Sequence, residues 1–151
     1  IQGDEPLIDP DAIALVVKSI SKCSDPAILA SNAYAPLLNR SDVLDKNVVK
    51  VIIDAESNAM AYSRHPIPYS VKKEMDNSIV YLRQLGLYAF KKKGLNIFSD
   101  RSPQYLEKAE SVEMFRLLEN GYKIKMVETD DTSISVDTLA DLSRVQALVQ
   151  N

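Results

Sequence analysis

Residues 47–63 read NVVKVIIDAESNAMAYS and predict a pair of β-strands. The first part, 47–54, is rich in β-branched residues and bounded by polar ones, which is typical of a short buried strand. Polar residues at 56–58 supply a turn, and 59–63 returns as the second strand. Two strands need a wider sheet and a covering layer, so the flanking sequence decides the fold class.

A helix is predicted upstream of this pair. Asp9 followed by Pro10 is typical of an N-cap with proline in the first helical position, and the helix is expected to run to about Lys22. Its apolar residues recur at helical spacing: Ile13, Val16, Val17 and Ile20. The stretch from Ser31 to Asp45 gives mixed signals and is expected to include a loop.

Downstream, the two prolines of 65–69 cannot donate to a sheet ladder, so this segment is expected to leave a sheet edge as extended chain. The polar stretch 71–78 is expected to be an exposed connection. Another strand is predicted over 80–90. A further one begins at Tyr122, where apolar residues alternate with lysines up to Met126.

Two more helices are predicted in the second half of the chain. Ser102 and Pro103 repeat the cap-then-proline signal, and that helix is expected to end near Gly121. Its buried stripe would contain Leu106, Ala109, Val112, Phe115 and Leu118. Thr138 and Asp141 resemble a capping box that opens the last helix.

Strands that alternate with helices predict a single α/β domain over 1–151 with a mostly parallel or mixed sheet. The length of 151 residues suits one hydrophobic core. The net charge is −3 and the longest basic run is 91–93, which argues against a nucleic-acid partner. The single cysteine, Cys23, excludes an internal disulfide and fits a reducing cytoplasm. Charges interrupt every apolar stretch, so no membrane span is predicted.

Four segments in chain order resemble motifs of the 3-deoxy-manno-octulosonate cytidylyltransferases. They are QGDEP at 2–6, SRHPIPY at 63–69, LGLYAF at 85–90, and VDT at 136–138 followed by Asp141, Leu142, Arg144 and Val145. The resemblance covers the whole chain, and four ordered motifs are far more specific than any one of them. It implies a three-layer, Rossmann-like nucleotide-diphospho-sugar transferase fold with a mixed sheet. It also implies that the chain is the C-terminal portion of such an enzyme, without its N-terminal nucleotide-binding part.

Enzymes of this family transfer CMP from CTP to the sugar acid and release pyrophosphate, for the synthesis of surface polysaccharide or lipopolysaccharide. The resemblance therefore implies CTP and a 3-deoxy-octulosonate-type sugar acid as substrates, Mg²⁺ as cofactor and a cytoplasmic location. It also implies a homodimer formed by the chain around 66–85. Transfer at phosphorus needs positioning and hard cations more than a covalent nucleophile, and Mg²⁺ prefers oxygen ligands.

Asp4 and Asp137 are the carboxylates that the resemblance implies as catalytic metal ligands. They lie far apart in the chain, but both flank predicted strand or helix ends, where open α/β sheets usually build sites. Each also has an ordinary structural explanation. Asp4 suits a polar turn, and Asp137 beside a helix N-terminus would stabilise the helix dipole without any metal.

The resemblance implies a further set of substrate contacts: Gln2, Arg64, Gln84, Tyr88, Glu110 and Glu113. The planar guanidinium of Arg64 suits the sugar carboxylate, although a surface arginine at a sheet edge would look the same. Tyr88 would hydrogen-bond sugar hydroxyls or be an ordinary strand aromatic. Glu110 and Glu113 recur at steps of three with Glu107, which also fits a solvated acidic stripe.

Three positions depart from the family pattern. Gln84 stands where the family usually has a histidine, while Met114 replaces a polar residue and Leu139 a proline. We therefore expect the same reaction class, with either the octulosonate or a related sugar acid as substrate. His65, the only histidine, is interpreted as structural or incidental.

The family's triphosphate loop is rich in glycine and basic residues, and the four glycines Gly3, Gly86, Gly94 and Gly121 do not form one. We therefore expect this chain alone to be inactive, whether it is a fragment of a longer enzyme, one of two chains or a remnant. The alternative from another class is a non-catalytic α/β interaction or dimerisation module that binds a partner through 65–83.

Overall fold

The computed structural model describes residues 1–71, 78–130, 135–136 and 138–149. The helices are α1 (Pro10–Lys22), α2 (Arg40–Leu44), α3 (Lys92–Asp100), α4 (Tyr105–Glu110), α5 (Phe115–Leu118) and α6 (Leu139–Val149). The strands are β1 (Ile28–Pro36), β2 (Lys50–Ile53), β3 (Ala59–Ser63), β4 (Leu82–Phe90) and β5 (Lys123–Glu128). Within these ranges no helix has the length and apolar content needed to span a bilayer.

The five strands form one sheet in the order β3-β2-β4-β1-β5. β1 and β5 run parallel and the other neighbouring pairs are antiparallel, so the sheet is mixed. One face packs on α1 through a core that contains Val16 and Leu87. The other face carries a larger core that contains Tyr62 and Phe115, against which Phe98 of α3 packs. The predicted three-layer α/β fold with a mixed sheet is confirmed.

The stretch from Ser31 to Asp45, whose mixed signals suggested a loop, begins inside the longest buried strand of the sheet. Every residue of β1 up to Ala35 is buried. Three of its apolar members are alanines, whose weak strand propensity helps to hide the strand in the sequence. Small side chains suit this position because α1 lies close by: the Ser31 hydroxyl donates to Val16 O of α1 (2.8 Å). Packing therefore outweighs local propensity in this segment.

The single helix predicted over 102–121 is two short helices, α4 and α5, because the chain turns at Ser111, which has a φ of 51°. The carbonyl oxygens of Glu110 and Ser111 at this turn accept hydrogen bonds from the Arg64 side chain. A tertiary contact therefore replaces the helical hydrogen bonds that a continuous helix would have made.

The break in the helix also changes which residues it buries. Val112 and Phe115 are buried as predicted. Two members of the predicted stripe are exposed, Leu106 and Ala109. Glu107 is buried instead, with its carboxylate paired to Arg116. The interpretation of a solvated acidic stripe is therefore wrong at Glu107.

Several other sequence predictions are confirmed. Helix α1 and strand β3 have the predicted bounds, and the segment 65–69 follows the edge strand β3 without joining the sheet. In the capping box, Thr138 Oγ1 donates to Asp141 Oδ2 (2.7 Å), and Asp141 N donates back to Thr138 Oγ1 (3.3 Å). Most of the predicted connection, 72–77, lies outside the described residues.

Helix α3 has no counterpart among the sequence predictions, because Gly94 and Asn96 have low helix propensity. Gly94 has a packing reason to be there. A Cβ at this position would lie 2.4 Å from Leu29 O of β1, so only glycine lets the helix approach the strand so closely.

A bulge in β4 changes the course of the backbone beneath the candidate site. Residues 85–87 face a single residue of β1. The side-chain amide of Asn32 donates to Leu85 O (2.8 Å) and Leu87 O (2.9 Å), and its oxygen accepts from Tyr62 OH (3.3 Å). Asn32 is completely buried, and a buried polar group without partners costs about 1–3 kcal/mol. The asparagine therefore stabilises the bulge.

Candidate functional site

A cleft of about 390 Å³ opens beside β2 and β4. Its lining comes from the N-terminal segment, the α2–β2 loop, the residue after β3, β4, the α4–α5 connection and the chain between β5 and α6. The lining residues are Gln2, Asp4, Glu5, Asn47, Val48, Val49, Arg64, Arg83, Gln84, Leu85, Gly86, Tyr88, Ser111, Val112, Glu113 and Ser135. Six of the eight predicted site residues are in this lining. Glu110 is not part of it, and Asp137 lies outside the described residues.

The N-terminal segment is held on the bulge of β4. The Gln2 backbone N–H donates to Gly86 O (2.9 Å), and the Gly86 N–H donates a longer bond to Glu5 Oε1 (3.4 Å). The Gln2 side chain lies over Gly86, where a Cβ would be 2.4 Å from Gln2 Oε1. Gly86 therefore makes room for Gln2 at the floor of the cleft, and the bulge explains how two distant motifs meet.

Asp4 lies in a turn, as its ordinary structural explanation also required. Its side chain accepts a long hydrogen bond from Ser135 Oγ (3.4 Å), and its backbone oxygen accepts from Val136 N (2.8 Å). Two chain segments about 130 residues apart thus meet at Asp4. The second of them leads directly to position 137.

Gln84 and Tyr88 form a hydrogen-bonded pair in the cleft, with Gln84 Nε2 donating to Tyr88 OH (2.9 Å). Burial raises the pKa of Tyr88, and the negative charges of Glu113, Asp4 and Glu5 raise it further. The phenol therefore stays protonated at neutral pH. Because its oxygen accepts from Gln84, its own O–H is left to act as a donor.

Arg64 lines the cleft, and its guanidinium is anchored to the protein backbone. Nε donates to Glu110 O (2.7 Å), Nη1 to Lys46 O (2.9 Å) and Nη2 to Ser111 O (3.2 Å). Three of its five N–H donors are used in this way within the described chain. The two that remain are enough for a bidentate pair with an anion.

Glu110 lies behind the wall that carries Arg64. Its two carboxylate oxygens accept from Ser63 Oγ (3.0 Å) and from the Arg64 backbone N–H (2.9 Å). Glu113, in contrast, is exposed and lines the cleft. The three glutamates of the predicted stripe therefore have three different surroundings. The turn at Ser111 takes Glu113 off the helical period that Glu107 and Glu110 share in α4.

Sequence reasoning missed three charged residues at the site: Glu5, Lys50 and Arg83. Glu5 is buried beside Gly86, and Arg83 lies in the lining. Lys50 is completely buried behind the α2–β2 loop. A signal for Lys50 was available, because a lysine inside a run of β-branched residues predicted to be a buried strand needs a partner.

The cleft contains charges of both signs. Asp4, Glu5 and Glu113 lie around Tyr88, and Arg64 and Arg83 line the same cleft. The acidic part offers only oxygen donors, which is the ligand chemistry of Mg²⁺. Among the described residues no group of three or more His, Cys, Asp or Glu side chains forms a complete metal site. Mg²⁺ commonly takes one or two carboxylates together with phosphate and water oxygens, and the residues present fit that pattern.

Comparison with known proteins places these features in a family. Residues 1–124 match the family model described as cytidylyltransferase. The 3-deoxy-manno-octulosonate cytidylyltransferase of Syntrophotalea carbinolica is 44% identical over 153 residues, which cover 97% of this chain and 60% of that protein. The mitochondrial 3-deoxy-manno-octulosonate cytidylyltransferase of Arabidopsis thaliana is 35% identical over 150 residues, covering 99% of this chain and 51% of that protein.

A solved structure is similar as well. It is that of CMP:2-keto-3-deoxy-manno-octonic acid synthetase complexed with CTP, with a TM-score of 0.85 and 30% identity over 99% of this chain and 60% of that one. The chain thus spans about 60% of the length of the bacterial relative and of the solved structure. With a family-model match over most of its residues, the chain belongs to the cytidylyltransferase family.

Proposed function

We propose that the complete gene product that contains this chain transfers CMP from CTP to 3-deoxy-manno-octulosonate or a closely related sugar acid. The released product is pyrophosphate, and the activated sugar would serve surface polysaccharide or lipopolysaccharide synthesis. One observation carries the proposal. In a chain of this family, Asp4, Arg64 and the Gln84–Tyr88 pair line the same cleft.

In this reaction the anomeric hydroxyl oxygen of the sugar acid bonds to the α-phosphorus of CTP. The bond from that phosphorus to the oxygen bridging it to the β-phosphate breaks, and the hydroxyl proton is released. The chemistry forms no covalent bond to the protein. The side chains therefore contribute by holding the two reactants in line and by stabilising charge on the phosphoryl oxygens.

Each cleft residue has a proposed role that follows from the chemistry of its side chain. We assign the sugar carboxylate to Arg64, whose two remaining N–H donors suit a bidentate contact. Tyr88 donates to a sugar hydroxyl, since its pKa is raised and Gln84 occupies its oxygen. Gln2 and Glu113, which also line the cleft, supply further polar contacts. Glu110 contributes through the Arg64 backbone that it binds.

Asp4 and Asp137 are the proposed ligands of Mg²⁺. When bound, the ion would polarise the α-phosphate and make the hydroxyl proton easier to remove. The support is that Ser135 and Val136, which directly precede position 137, hydrogen-bond to Asp4. The carboxylates near Tyr88 create the negative field that such an ion requires.

The test is an assay of the complete gene product with CTP, Mg²⁺ and a panel of eight- and nine-carbon ulosonic acids. We expect CMP-sugar and pyrophosphate in equal amounts with an eight-carbon acid. Asp4→Asn should reduce kcat/KM by at least about a hundredfold, because such electrostatic contributions are worth several kcal/mol. Asp42→Asn, on α2 and outside the cleft lining, is the matched control and should leave kcat/KM unchanged. An absence of turnover with every acid, or full activity of Asp4→Asn, would contradict the proposal.

We also propose that the protein is a homodimer. Leu38, Tyr69, Val71 and Val80 have exposed fractions of 90%, 83%, 90% and 66%. Leu37 N donates to Tyr81 O (2.8 Å), so the segments around Leu38 and Val80 are neighbours. Large apolar side chains that are exposed in this way favour association. Sedimentation of the complete gene product should give twice the monomer mass; a monomer at high concentration would contradict the dimer. The same exposed apolar surface would also suit a non-catalytic interaction module, and the turnover assay distinguishes such a module from an enzyme.

A further inference from the structure

We propose that Lys50 is a positioning residue that, together with Glu110, holds the Arg64 wall of the cleft in its substrate-binding arrangement. The inference rests on the proposed function, in which Arg64 binds the anionic end of the sugar acid. Lys50 does not line the cleft and has no part in the chemistry assigned above. Its role follows from what its ammonium group binds.

Lys50 is completely buried, which is rare for a lysine unless it is paired. Its Nζ donates to Asp45 O (2.8 Å), Val48 O (2.6 Å) and Arg64 O (2.6 Å). An ammonium has three N–H donors, so each has one backbone acceptor. The group therefore ties both ends of the α2–β2 loop to the chain that follows β3.

Glu110 holds the same segment, the chain at Ser63 and Arg64, through a separate set of hydrogen bonds. Its carboxylate accepts from Ser63 Oγ and from the Arg64 backbone N–H, while Arg64 Nε donates back to Glu110 O. Arg64 Nη1 reaches Lys46 O in the loop that Lys50 anchors. The α2–β2 loop, the end of β3 and the end of α4 are thus joined around one arginine, whose remaining donors are then fixed in direction.

The charges around Lys50 explain why its protonation matters. Burial lowers its pKa; Asp45 and Glu110 oppose this shift, and Arg64 adds to it. Arg83 pairs with Lys50 across the β2–β4 ladder. A neutral amine has only two N–H donors, so deprotonation on the alkaline side leaves one of the three carbonyls without its bond.

The same shift affects folding with the opposite sign. Because the pKa in the folded state lies below the unfolded value, the unfolded chain binds more protons across that window, and the free energy of unfolding rises with pH there. As pH rises on the alkaline side, the proposal therefore predicts a weaker Arg64 site in a protein whose fold gains stability from this group. If Lys50 had only a structural role, its deprotonation would not weaken substrate binding while the stability of the fold increased.

The experiment uses the complete gene product, with Lys50→Met and Glu110→Gln as test variants. Glu107→Gln is the matched control, since Glu107 is also a hydrogen-bonded glutamate of α4 but its carboxylate pairs with Arg116 instead of the Arg64 backbone. We expect both test variants to raise KM for the sugar acid by about tenfold or more with kcat changed less than about threefold. The control should lower the melting temperature without raising KM.

Two further readouts decide the outcome. KM of the wild type should rise with pH on the alkaline side, whereas KM of Lys50→Met should already be high and independent of pH. Amide hydrogen exchange should become faster over 45–49 and 63–65 in both test variants, and it needs no turnover. If Lys50→Met does not fold, Glu110→Gln decides alone. An unchanged KM with a lowered melting temperature, or unchanged exchange, would overturn the positioning role. Faster exchange in a protein that turns over no sugar acid would instead overturn the proposed function.

Discussion

Gly86→Ala tests whether the Gln2 side chain serves the cleft. A Cβ at this position would lie 2.4 Å from Gln2 Oε1 and 3.1 Å from Gln2 Cδ. These atoms belong to the free end of a flexible side chain, so Gln2 should rotate away while the sheet stays in place. Moving a side chain off its preferred rotamer costs about 0.5–1.5 kcal/mol. We expect the free energy of unfolding to fall by no more than that.

The effect on activity should be larger than the effect on stability. If Gln2 hydrogen-bonds an anionic substrate, losing the bond costs about 1.5–3 kcal/mol, or about 10- to 150-fold in kcat/KM. The assay measures kcat/KM for the sugar acid at saturating CTP in the wild type, Gly86→Ala, Gln2→Ala and the double variant. In the Gln2→Ala background the contacts with Oε1 and Cδ are gone and only the 3.2 Å approach of the Cβ at position 2 remains, so Gly86→Ala should have a much smaller further effect.

Gly94→Ala is the control for this reasoning. Its Cβ would meet Leu29 O at 2.4 Å and Leu29 Cβ at 2.9 Å, and a strand backbone cannot rotate away. Overpacking of this kind costs about 1–3 kcal/mol, of which the helix propensity of alanine recovers up to about 1 kcal/mol. This variant should melt earlier with unchanged kcat/KM. Equal activity losses from Gly86→Ala in both Gln2 backgrounds, or lost stability with full activity, would refute the argument.

Three further predictions concern charged groups. Glu107→Gln leaves the Arg116 cation without its buried partner and should lower the free energy of unfolding by about 3 kcal/mol. This value is near the low end for buried ion pairs because Arg116 is 15% exposed. An unchanged midpoint of urea unfolding would contradict the prediction. The raised pKa of Tyr88 contributes stability that is fully present below the ordinary tyrosine pKa of about 10 and is lost above it. The free energy of unfolding should therefore fall more steeply with alkaline pH in the wild type than in Tyr88→Phe. Identical curves for the two proteins would disprove this. Asp137→Asn should nearly abolish transfer, because it removes the negative charge proposed to hold Mg²⁺. The melting temperature should stay almost unchanged, because Thr138 and Asp141 form the capping box of α6; a parallel loss of stability and activity would favour the helix-dipole explanation.

The parts of the fold that the sequence predicted are those with strong local signals. Helix α1 has both a capping aspartate and a proline, and β3 follows a clear turn, so both have the expected bounds. Strand β1 was hidden because its alanines and Ser31 have weak strand propensity; Ser31, Ala33 and Ala35 lie on the face that packs on α1. The break at Ser111 was hidden because Arg64, far away in the sequence, supplies the hydrogen bonds that end the helix.

The sequence motifs predicted which residues form the site, but they did not show how these residues are brought together. Gln2 reaches Gly86 because β4 bulges over 85–87, and Asn32 holds that bulge from the neighbouring strand. Lys50 was missed because its role depends on three backbone carbonyls gathered from separate segments. Residue types alone do not reveal such an arrangement.

The central claim is that the cleft beside Asp4 is where a divalent cation, CTP and the sugar acid come together. Mn²⁺ accepts the same oxygen ligands as Mg²⁺ and is located by anomalous scattering. Crystals of the complete gene product grown with CTP, Mn²⁺ and the sugar acid should show an Mn²⁺ peak bound to an Asp4 carboxylate oxygen. The carboxylate of the sugar acid should lie at Arg64, and the metal peak should disappear in Asp4→Asn crystals. An Mn²⁺ peak and sugar density at another place, with Asp4 and Arg64 contacting neither, would contradict the account.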